Sequence, residues 1–507
     1  MNFASLPDRR AELDPRGPAL SDGSQSLTNA ELLDRVRAAS EHLRSLGIGP
    51  GDVVALQLKN RIEFVLLLFG AWRLGATITP VNPSLTDNEV VRQLDDSGAR
   101  LLVVEDDITP AGGITTLTVG DLYTGAVSSG LASEPSSALD LLYQTAVEWI
   151  QQPQVDSSAL ALLIYTSGTT GVPKGVMLDH ANIDAMAAMG VESLSVGPTD
   201  RCLLILPLFH VNGIVVSILT PLLAGASVVI AGRFDPRTFF DLVESERPTF
   251  FSGVPTIYSI LAALPDSVRP DTSSLRFGIC GAAPASAELL TRFEARYGFP
   301  LIEGYGLSEG TCGTTINPLA GPRRAGTVGI PFPGQEIRIV DDSGTEVAPG
   351  MDGELVVRGP NVMRGYLGRP DETARVIVDG WLHTGDVGHV DADGYLTLVG
   401  RSKDMIIRGG ENIYPKEIED VLVGDSSVLE AAVIGVPDEK WGEIVVAYVQ
   451  PRPDSTIDPA ALKALCAEQL TPYKRPTTFV VVDAIPKNAV GKIDKVSLRT
   501  THAAAGA

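Results

Sequence analysis

The chain has 507 residues, more than a single hydrophobic core accommodates, and this length predicts about three domains or subdomains. Hydrophobic residues make up 44% and charged residues 20%, the balance of an ordinary globular protein. The formal net charge of -22 disfavours general binding to nucleic acids or to anionic membranes. Any anionic ligand would therefore need positive charge supplied locally, which makes individual lysines informative.

The four cysteines are scattered and form no Cys-x-x-Cys pair, which fits a reducing cytosol and argues against a cysteine zinc site. Residues 1–15 contain charges and no apolar core, so we expect no signal peptide and a cytoplasmic location. Two apolar stretches, 64–81 and 218–230, are interrupted by proline or arginine and predict buried core rather than transmembrane segments. Peripheral contact with a membrane is compatible with this pattern.

Helical and strand patterns alternate through the first half of the chain. Thr28 or Asn29 is the expected cap of a helix, with Glu31 in its first turn and Gly47 at its end. Segment 109–157 is weakly patterned and predicts loops and short elements. The alternation predicts α/β units around largely parallel sheets. The other predicted elements are strands 53–56, 101–104, 159–165, 203–206, 227–230, 250–251 and 275–280, and a helix over 63–74.

The pattern changes twice in the second half. Short alternating runs between 336 and 395, punctuated by Gly, Pro and Asp, predict a small β-barrel or a twisted antiparallel sheet. After Arg401 an α/β pattern returns. Its predicted elements are helices 418–422 and 460–470 and strands 431–434 and 443–449.

We place a domain boundary near Lys403. The predicted fold class is α/β. Residues 1–402 would form a large N-terminal domain of two α/β subdomains plus a small β-barrel, and 403–507 a small α+β C-terminal domain of ordinary size.

The most informative motif is the stretch 165–175, Tyr-Thr-Ser-Gly-Thr-Thr-Gly-Val-Pro-Lys-Gly. Its glycines let the backbone turn tightly and bring N–H groups close to an anion, while its hydroxyls and Lys174 add donors and positive charge. This combination indicates a polyphosphate site. The motif differs from the common P-loop because Gly175, not a hydroxyl residue, follows the lysine. The alternative is a flexible linker rich in Thr and Gly.

A second motif is Gly304-Tyr-Gly-Leu-Ser-Glu-Gly310. Tyr305, flanked by glycines, can lie flat against an adenine ring, and Ser308 and Glu309 can face phosphate and magnesium. The alternative is a strand-to-loop turn with a packed tyrosine.

Three further motifs carry weaker signals individually. Asp386, in Gly380–Asp386, is a candidate for ribose hydroxyls, although Asp in such a turn is more often structural. The segment 400–415 joins charges, an apolar strand, a Gly-Gly turn and a helix start, as a linker or hinge would. Lys492 follows a tight glycine turn, where an isolated lysine is usually solvated.

In this order the five motifs resemble the adenylate-forming superfamily of acyl-CoA synthetases, aryl-CoA ligases, firefly-type luciferases and peptide-synthetase adenylation domains. The resemblance runs from about Leu27 to Lys495. It implies that Tyr305 stacks on adenine, that Ser308 and Glu309 serve phosphate and Mg²⁺, and that Asp386 and Arg401 bind ribose. It also implies a loop holding the β- and γ-phosphates of ATP, made of Thr166, Ser167, Gly168, Thr169, Thr170, Gly171 and Lys174.

The same resemblance implies a two-step reaction with a mobile C-terminal domain. Lys492 would bridge the substrate carboxylate and the α-phosphate during adenylation. Lys403 stands at the family's hinge, where rotation would bring Gly409 and Gly410 to the active site for attack by coenzyme A. One departure is His383, where many relatives have Arg or Lys.

The substrate pocket is predicted from small residues and absent charges. The run 210–217 contains no carboxylate, which argues against an amino-acid substrate. Malonyl-CoA synthetases carry an arginine where this chain has Gly304, so a dicarboxylate would lack its counter-ion. Gly281 and Gly304 suggest small pocket walls and an apolar acid. His210 either flanks the carboxyl end of the substrate or is a packed core histidine.

The favoured function is an ATP-dependent acid–CoA ligase acting through acyl-AMP on a medium- or long-chain fatty acid, and thus in fatty acid metabolism. An aryl-CoA ligase for a cinnamate- or benzoate-like acid is the first alternative. An acyl-AMP ligase loading a carrier protein, a luciferase-like oxygenase and a non-catalytic nucleotide-binding module are the others. The expected small molecules are the acid, ATP, Mg²⁺ and coenzyme A, and both a monomer and a homodimer fit the sequence.

Overall fold

The computed structural model of the protein describes residues 3–109, 113–124, 153, 155–166, 173–283, 285–453, 455–487 and 492–505. Within the segment 109–157, where we predicted loops and short elements, residues 110–112, 125–152 and 154 lie outside these ranges. No helix within them is long and apolar enough to cross a membrane.

Helices begin where the sequence offers caps. The second helix starts after Thr28, whose hydroxyl accepts the Glu31 N–H while the Glu31 carboxylate accepts the Thr28 N–H. The cap is therefore Thr28 rather than Asn29. The helices are α1 (Leu6–Leu13), α2 (Asn29–Ser45), α3 (Ile62–Arg73), α4 (Asp87–Ser97), α5 (Val119–Thr124), α6 (His180–Leu194), α7 (Val211–Ile214), α8 (Thr220–Leu223), α9 (Phe239–Glu246), α10 (Pro255–Ala262), α11 (Ala287–Tyr297), α12 (Pro370–Val376), α13 (Pro415–Val423), α14 (Pro459–Gln469) and α15 (Lys495–Ala505).

Strands follow the predicted apolar runs, with shifted ends in places. Arg201 and Cys202 pair with the strand at 227–230, so the strand predicted over 203–206 begins two residues earlier. The strands are β1 (Pro18–Ser21), β2 (Ser26–Thr28), β3 (Val53–Gln57), β4 (Thr77–Pro80), β5 (Ala99–Val104), β6 (Thr115–Thr118), β7 (Leu160–Thr166), β8 (Lys174–Asp179), β9 (Arg201–Leu204), β10 (Ser227–Ile230), β11 (Phe250–Gly253), β12 (Phe277–Cys280), β13 (Leu301–Tyr305), β14 (Thr315–Ile316), β15 (Ile330–Pro331), β16 (Glu336–Val340), β17 (Gly353–Arg358), β18 (Gly365–Tyr366), β19 (Ile377–Val378), β20 (Trp381–Val390), β21 (Leu396–Arg401), β22 (Ile406–Arg408), β23 (Glu411–Ile413), β24 (Val428–Asp438), β25 (Gly442–Pro451) and β26 (Thr478–Val481).

Two large sheets form the N-terminal domain. One has the order β15-β14-β13-β12-β11-β9-β10-β1-β2, the other β18-β8-β7-β4-β3-β5-β6. Their central strands are parallel and antiparallel pairs lie at the ends, as the α/β alternation predicts. The buried indole of Trp72 donates to the carbonyl of Ala161, which fixes α3 against β7.

Two smaller sheets complete the fold. The region predicted from short alternating runs is an antiparallel sheet, β16-β17-β20-β19, with β21 added on β20. The C-terminal sheet has the order β23-β22-β25-β24, with β26 parallel to β25, and packs against α13 and α14. The architecture is thus mixed α/β, with a large N-terminal and a small C-terminal domain.

Candidate active site

Asp386 forms the centre of the site. It lies on β20 opposite Arg401 of β21, so the ladder itself brings the two side chains together. Its carboxylate accepts the Tyr305 hydroxyl at 2.5 Å and pairs with Arg401 Nε at 2.8 Å. Burial and the Asp386 charge raise the pKa of Tyr305 well above its usual value.

The Asp386 carboxylate has capacity for hydrogen bonds beyond those with Tyr305 and Arg401. Its side chain is only 6% exposed. A carboxylate has about four lone-pair positions. Tyr305 and Arg401 each contact one of the two oxygens of Asp386. Acceptance from ribose hydroxyls is chemically compatible with the structural role.

Lys492 lies close enough to this centre to interact with its charges. Burial and the Arg401 charge, opposed by Asp386 and Glu309, together lower the pKa of Lys492 to about 8. Four residues predicted separately, from motifs far apart in the chain, therefore share one electrostatic environment. A lysine that is usually solvated is here half-buried at the domain interface.

His210 lies close enough to Lys492 to sense its charge. Burial lowers its pKa to about 3, and the charge of Lys492 acts in the same direction, so the imidazole is neutral. Its Nε2 is buried without a hydrogen-bond partner among the described residues. The ring packs against Phe209 with centroids 4.6 Å apart. A packed histidine and a histidine flanking the substrate both agree with this position.

Glu309 and Lys174 are linked through Tyr366. Glu309 follows β13 in a short turn that starts at Ser308. Its Oε1 accepts the Tyr366 hydroxyl at 2.9 Å. The Lys174 ammonium lies 5.1 Å from the centroid of the Tyr366 ring and forms an ion pair with Glu372. Tyr366 thus connects Lys174 of the phosphate motif with Glu309 of the motif at 304–310.

Much of the phosphate motif lies outside the residues that the structure describes. Thr166 ends β7 and pairs with Lys174 at the start of β8, so no helix begins at the lysine. The strand before the motif is confirmed, with bounds shifted by one residue. The remaining predicted phosphate ligands, Ser167, Gly168, Thr169, Thr170 and Gly171, lie outside the described residues.

The chemistry of the donor set is compatible with magnesium. Among the described residues, no group of three or more His, Cys, Asp or Glu side chains could hold a metal ion by itself. Mg²⁺ usually takes one or two protein carboxylates, and phosphates and water complete its shell. Glu309, whose Oε1 accepts the Tyr366 hydroxyl beside Lys174, could supply one such carboxylate.

The glycines predicted to line the pocket lie on adjacent strands. Gly281 follows β12 and Gly304 is in β13; a Cβ on Gly281 would lie 3.3 Å from the Gly304 carbonyl oxygen. A Cβ on Gly304 would lie 3.1 Å from the Thr315 carbonyl oxygen and 3.4 Å from Ile316. Close strand packing is therefore one physical reason for glycine at 304.

The predicted hinge lies between the antiparallel sheet and the C-terminal domain. Lys403 is in a short turn over Ser402–Asp404, and burial together with the Arg401 charge lowers its pKa. Gly409 and Gly410 form the exposed β22–β23 turn, where φ values of 63° and 88° favour glycine.

Two polar contacts join the domains directly. Lys487 Nζ lies 3.0 Å from Thr256 Oγ1, and Arg452 lies 3.9 Å from Glu288. Both of these contacts are at the protein surface or near it.

Sequence reasoning missed several residues that position this site. Tyr366 and Glu372 are not in any of the five motifs, although they contact Glu309 and Lys174. Glu303 is buried, its pKa is raised to about 7 by that burial, and its Oε1 accepts the Ala285 N–H. Of these three residues, Glu303 alone had a sequence signal, because it is a charged residue in an apolar strand.

Comparison with known proteins places this geometry in a family. The model of the AMP-binding enzymes matches residues 7–367, and that of their C-terminal domain matches 417–492. The chain is 40% identical to a feruloyl-CoA synthase of an Amycolatopsis species over 500 residues, 98% of each chain. A long-chain-fatty-acid–CoA ligase of Bacillus subtilis is 34% identical over 508 residues, covering 94% of this chain and 90% of that one.

A solved structure extends the likeness to three dimensions. An anthranilate CoA ligase in complex with anthranoyl-AMP superposes with a TM-score of 0.91 at 28% identity, covering 100% of this chain and 98% of that one. Family models, relatives and structure agree along nearly the whole length. The chain belongs to the AMP-binding enzymes, within the adenylate-forming superfamily, and is an AMP-forming acid–CoA ligase.

Proposed function

We propose that this ligase activates an aromatic acid of the hydroxycinnamate type and transfers it to coenzyme A. The observation that carries this proposal is the 40% identity to a feruloyl-CoA synthase over 98% of both chains, against 34% for the fatty-acid enzyme. The sequence favours a fatty acid through small pocket walls, chiefly the missing side chain at Gly304. Because strand packing also explains that glycine, its presence does not favour a long acyl channel.

In the first half-reaction the substrate carboxylate attacks the α-phosphate of ATP and pyrophosphate leaves. Two negative groups must approach each other, and the half-buried Lys492 ammonium would stabilise both. When bound, Mg²⁺ would neutralise phosphate charge, with Glu309 as its protein ligand. Tyr305 would stack on adenine, and Asp386 with Arg401 would hold the ribose. We assign the β- and γ-phosphates to the 166–175 loop.

In the second half-reaction the thiol of coenzyme A attacks the carbonyl of the acyl-adenylate and AMP leaves. We propose that the domain boundary lies at 402/403 and that Lys403 is the hinge, with Gly409 and Gly410 moving to the thiol path. The gap between the two matched family models, 367 to 417, contains this boundary. We place the enzyme in the cytoplasm, in keeping with four free cysteines.

A substrate screen tests the proposal. AMP release that depends on coenzyme A would be measured with ferulate, cinnamate, benzoate, octanoate and palmitate. We expect kcat/KM for the best aromatic acid to exceed that for palmitate by at least about tenfold, the discrimination that pocket shape alone supplies. A preference for palmitate would restore the fatty-acid function. Acyl-AMP without thioester on free coenzyme A would indicate a carrier-protein acceptor instead.

The pH dependence provides a second prediction. The Lys492 ammonium loses its proton above its pKa of about 8 in the free enzyme, and only the charged form stabilises the reacting anions. Therefore kcat/KM for the acid, measured at subsaturating ATP so that it reports the free enzyme, should fall as pH rises through about 8. Lys492→Arg stays charged, and its activity, though lower, should not show this fall. A wild-type profile flat to pH 10 would contradict the assignment.

A further inference from the structure

Lys174 is held by an internal carboxylate. Its ammonium pairs with Glu372 of α12, and the two side chains are 14% and 29% exposed. Arg369 Nη1 lies 3.4 Å from Glu372 Oε1, so a second cation fixes the carboxylate. The Lys174 hydrogen bond, with Arg369 beside it, lowers the pKa of Glu372 and keeps it ionised.

The pair lies inside a wider network. Arg369 also faces Asp96 at 3.7 Å, and Asp96 accepts the Tyr165 hydroxyl at 2.7 Å. The Tyr366 ring lies beside Lys174 and its hydroxyl is bound to Glu309. A carboxylate placed between two cations is therefore built into the wall of the nucleotide site.

This arrangement conflicts with the role of Lys174 in binding ATP. The lysine that would meet the β- and γ-phosphates already has a full anionic partner. A phosphate oxygen and a carboxylate oxygen offer an ammonium the same kind of contact. An ammonium has three N–H donors, but a phosphate beside the Glu372 carboxylate would bring two like charges together. Binding of the polyphosphate on Lys174 therefore favours opening of the Glu372 contact.

We propose that Glu372 is a positioning residue of the ATP site. Its carboxylate binds the Lys174 ammonium where a phosphate oxygen would otherwise bind. This inference rests on the proposed function, because it takes Lys174 as a ligand of the β- and γ-phosphates. ATP binds by exchanging one anion for another, and pyrophosphate leaves by the reverse exchange. Glu372 thus weakens polyphosphate binding and favours product release.

The test is Glu372→Gln, with binding measured by calorimetry for ATP, inorganic tripolyphosphate and AMP. Removing the competing charge should tighten ATP and tripolyphosphate by about two- to fivefold, the range for a partly exposed ion pair. AMP lacks the β- and γ-phosphates and should bind as in wild type. Pyrophosphate should inhibit more strongly, and KM for ATP should fall without a rise in kcat.

Two controls separate this effect from a change in the overall charge of the surface and from a loss of folded protein. Asp371→Asn removes the same charge from the exposed neighbour of Glu372 and should leave all three affinities unchanged. Thermal unfolding of each variant shows whether the fold survives. In the double variant Lys174→Met/Glu372→Gln, the gain in polyphosphate affinity should disappear, because the freed ammonium is absent.

The outcomes distinguish the inference from the function on which it rests. Unchanged or weaker tripolyphosphate binding in folded Glu372→Gln overturns the inference, and so does equal tightening of AMP. If Lys174→Met alone binds ATP and tripolyphosphate as wild type does, the phosphate role of Lys174 fails. The acid-dependent release of AMP by the wild-type enzyme tests the proposed reaction independently of both.

Discussion

Lys492→Ala should reduce acyl-adenylate formation by about 10²–10³-fold, the usual effect of removing one electrostatic stabiliser. The reason is local: the half-buried ammonium of Lys492 shares its environment with Asp386, Glu309 and Arg401, where the carboxylate and α-phosphate would meet. Pyrophosphate release upon addition of acid and ATP measures this step. Thioester formation from chemically prepared acyl-AMP and coenzyme A should remain within a few-fold of wild type.

The control for Lys492→Ala is Lys495→Ala. Lys495 lies three residues away and pairs with Glu419 within the C-terminal domain at 2.7 Å. This variant should adenylate normally, since the lost ion pair lies within that domain. Equal damage to both half-reactions in Lys492→Ala would contradict the role assigned to Lys492.

Asp386→Ala should lower kcat/KM for ATP by about 10- to 100-fold, because a charge-assisted contact with nucleotide is worth about 1.5–3 kcal/mol. It should also destabilise the protein by about 1–3 kcal/mol, since the Tyr305 hydroxyl and Arg401 lose their buried acceptor. Steady-state kinetics with varied ATP and urea unfolding measure the two effects separately.

Asp386→Asn is the matched variant for that experiment. The amide keeps the shape and can still accept the Tyr305 hydroxyl, but it lacks the charge that faces Arg401. We expect most of the stability to return while the ATP defect remains larger than about fivefold. Full recovery of ATP binding by the uncharged amide would assign Asp386 a purely structural role.

The sequence indicates the residues of the candidate site more readily than their hydrogen-bond and ion-pair partners. Tyr305 and Glu309 belong to a short motif whose chemistry is local, so both are recognisable from their neighbours in the chain. Asp386 and Lys492 carry weak signals alone, and their expected roles come from the order of the five motifs. The hydroxyl of Tyr305 on Asp386 spans 81 positions, and nothing in either motif indicates that contact.

The same limit applies to the fold. The cap of α2 at Thr28 depends on contacts over three residues, and the sequence indicates Thr28 as one of two possible caps, with Glu31 in the first turn. The start of β9 depends on pairing with β10, which the apolar pattern of 203–206 does not contain. Tyr366 and Glu372 were missed because their importance comes only from Glu309 and Lys174, which are distant in the chain.

The contacts between the domains have a consequence for how the two half-reactions alternate. Lys487 with Thr256 and Arg452 with Glu288 are partly exposed contacts, each worth about 0–1 kcal/mol. Reversing a 1:99 population of two arrangements takes about 5.5 kcal/mol. In the proposed rotation of the C-terminal domain, these two contacts would offer little resistance. We therefore expect bound acid and ATP to favour the arrangement in which Lys492 lies near Asp386 and Glu309. Departure of pyrophosphate would then remove part of this stabilisation. Substrate binding and product release would thus determine when the C-terminal domain rotates.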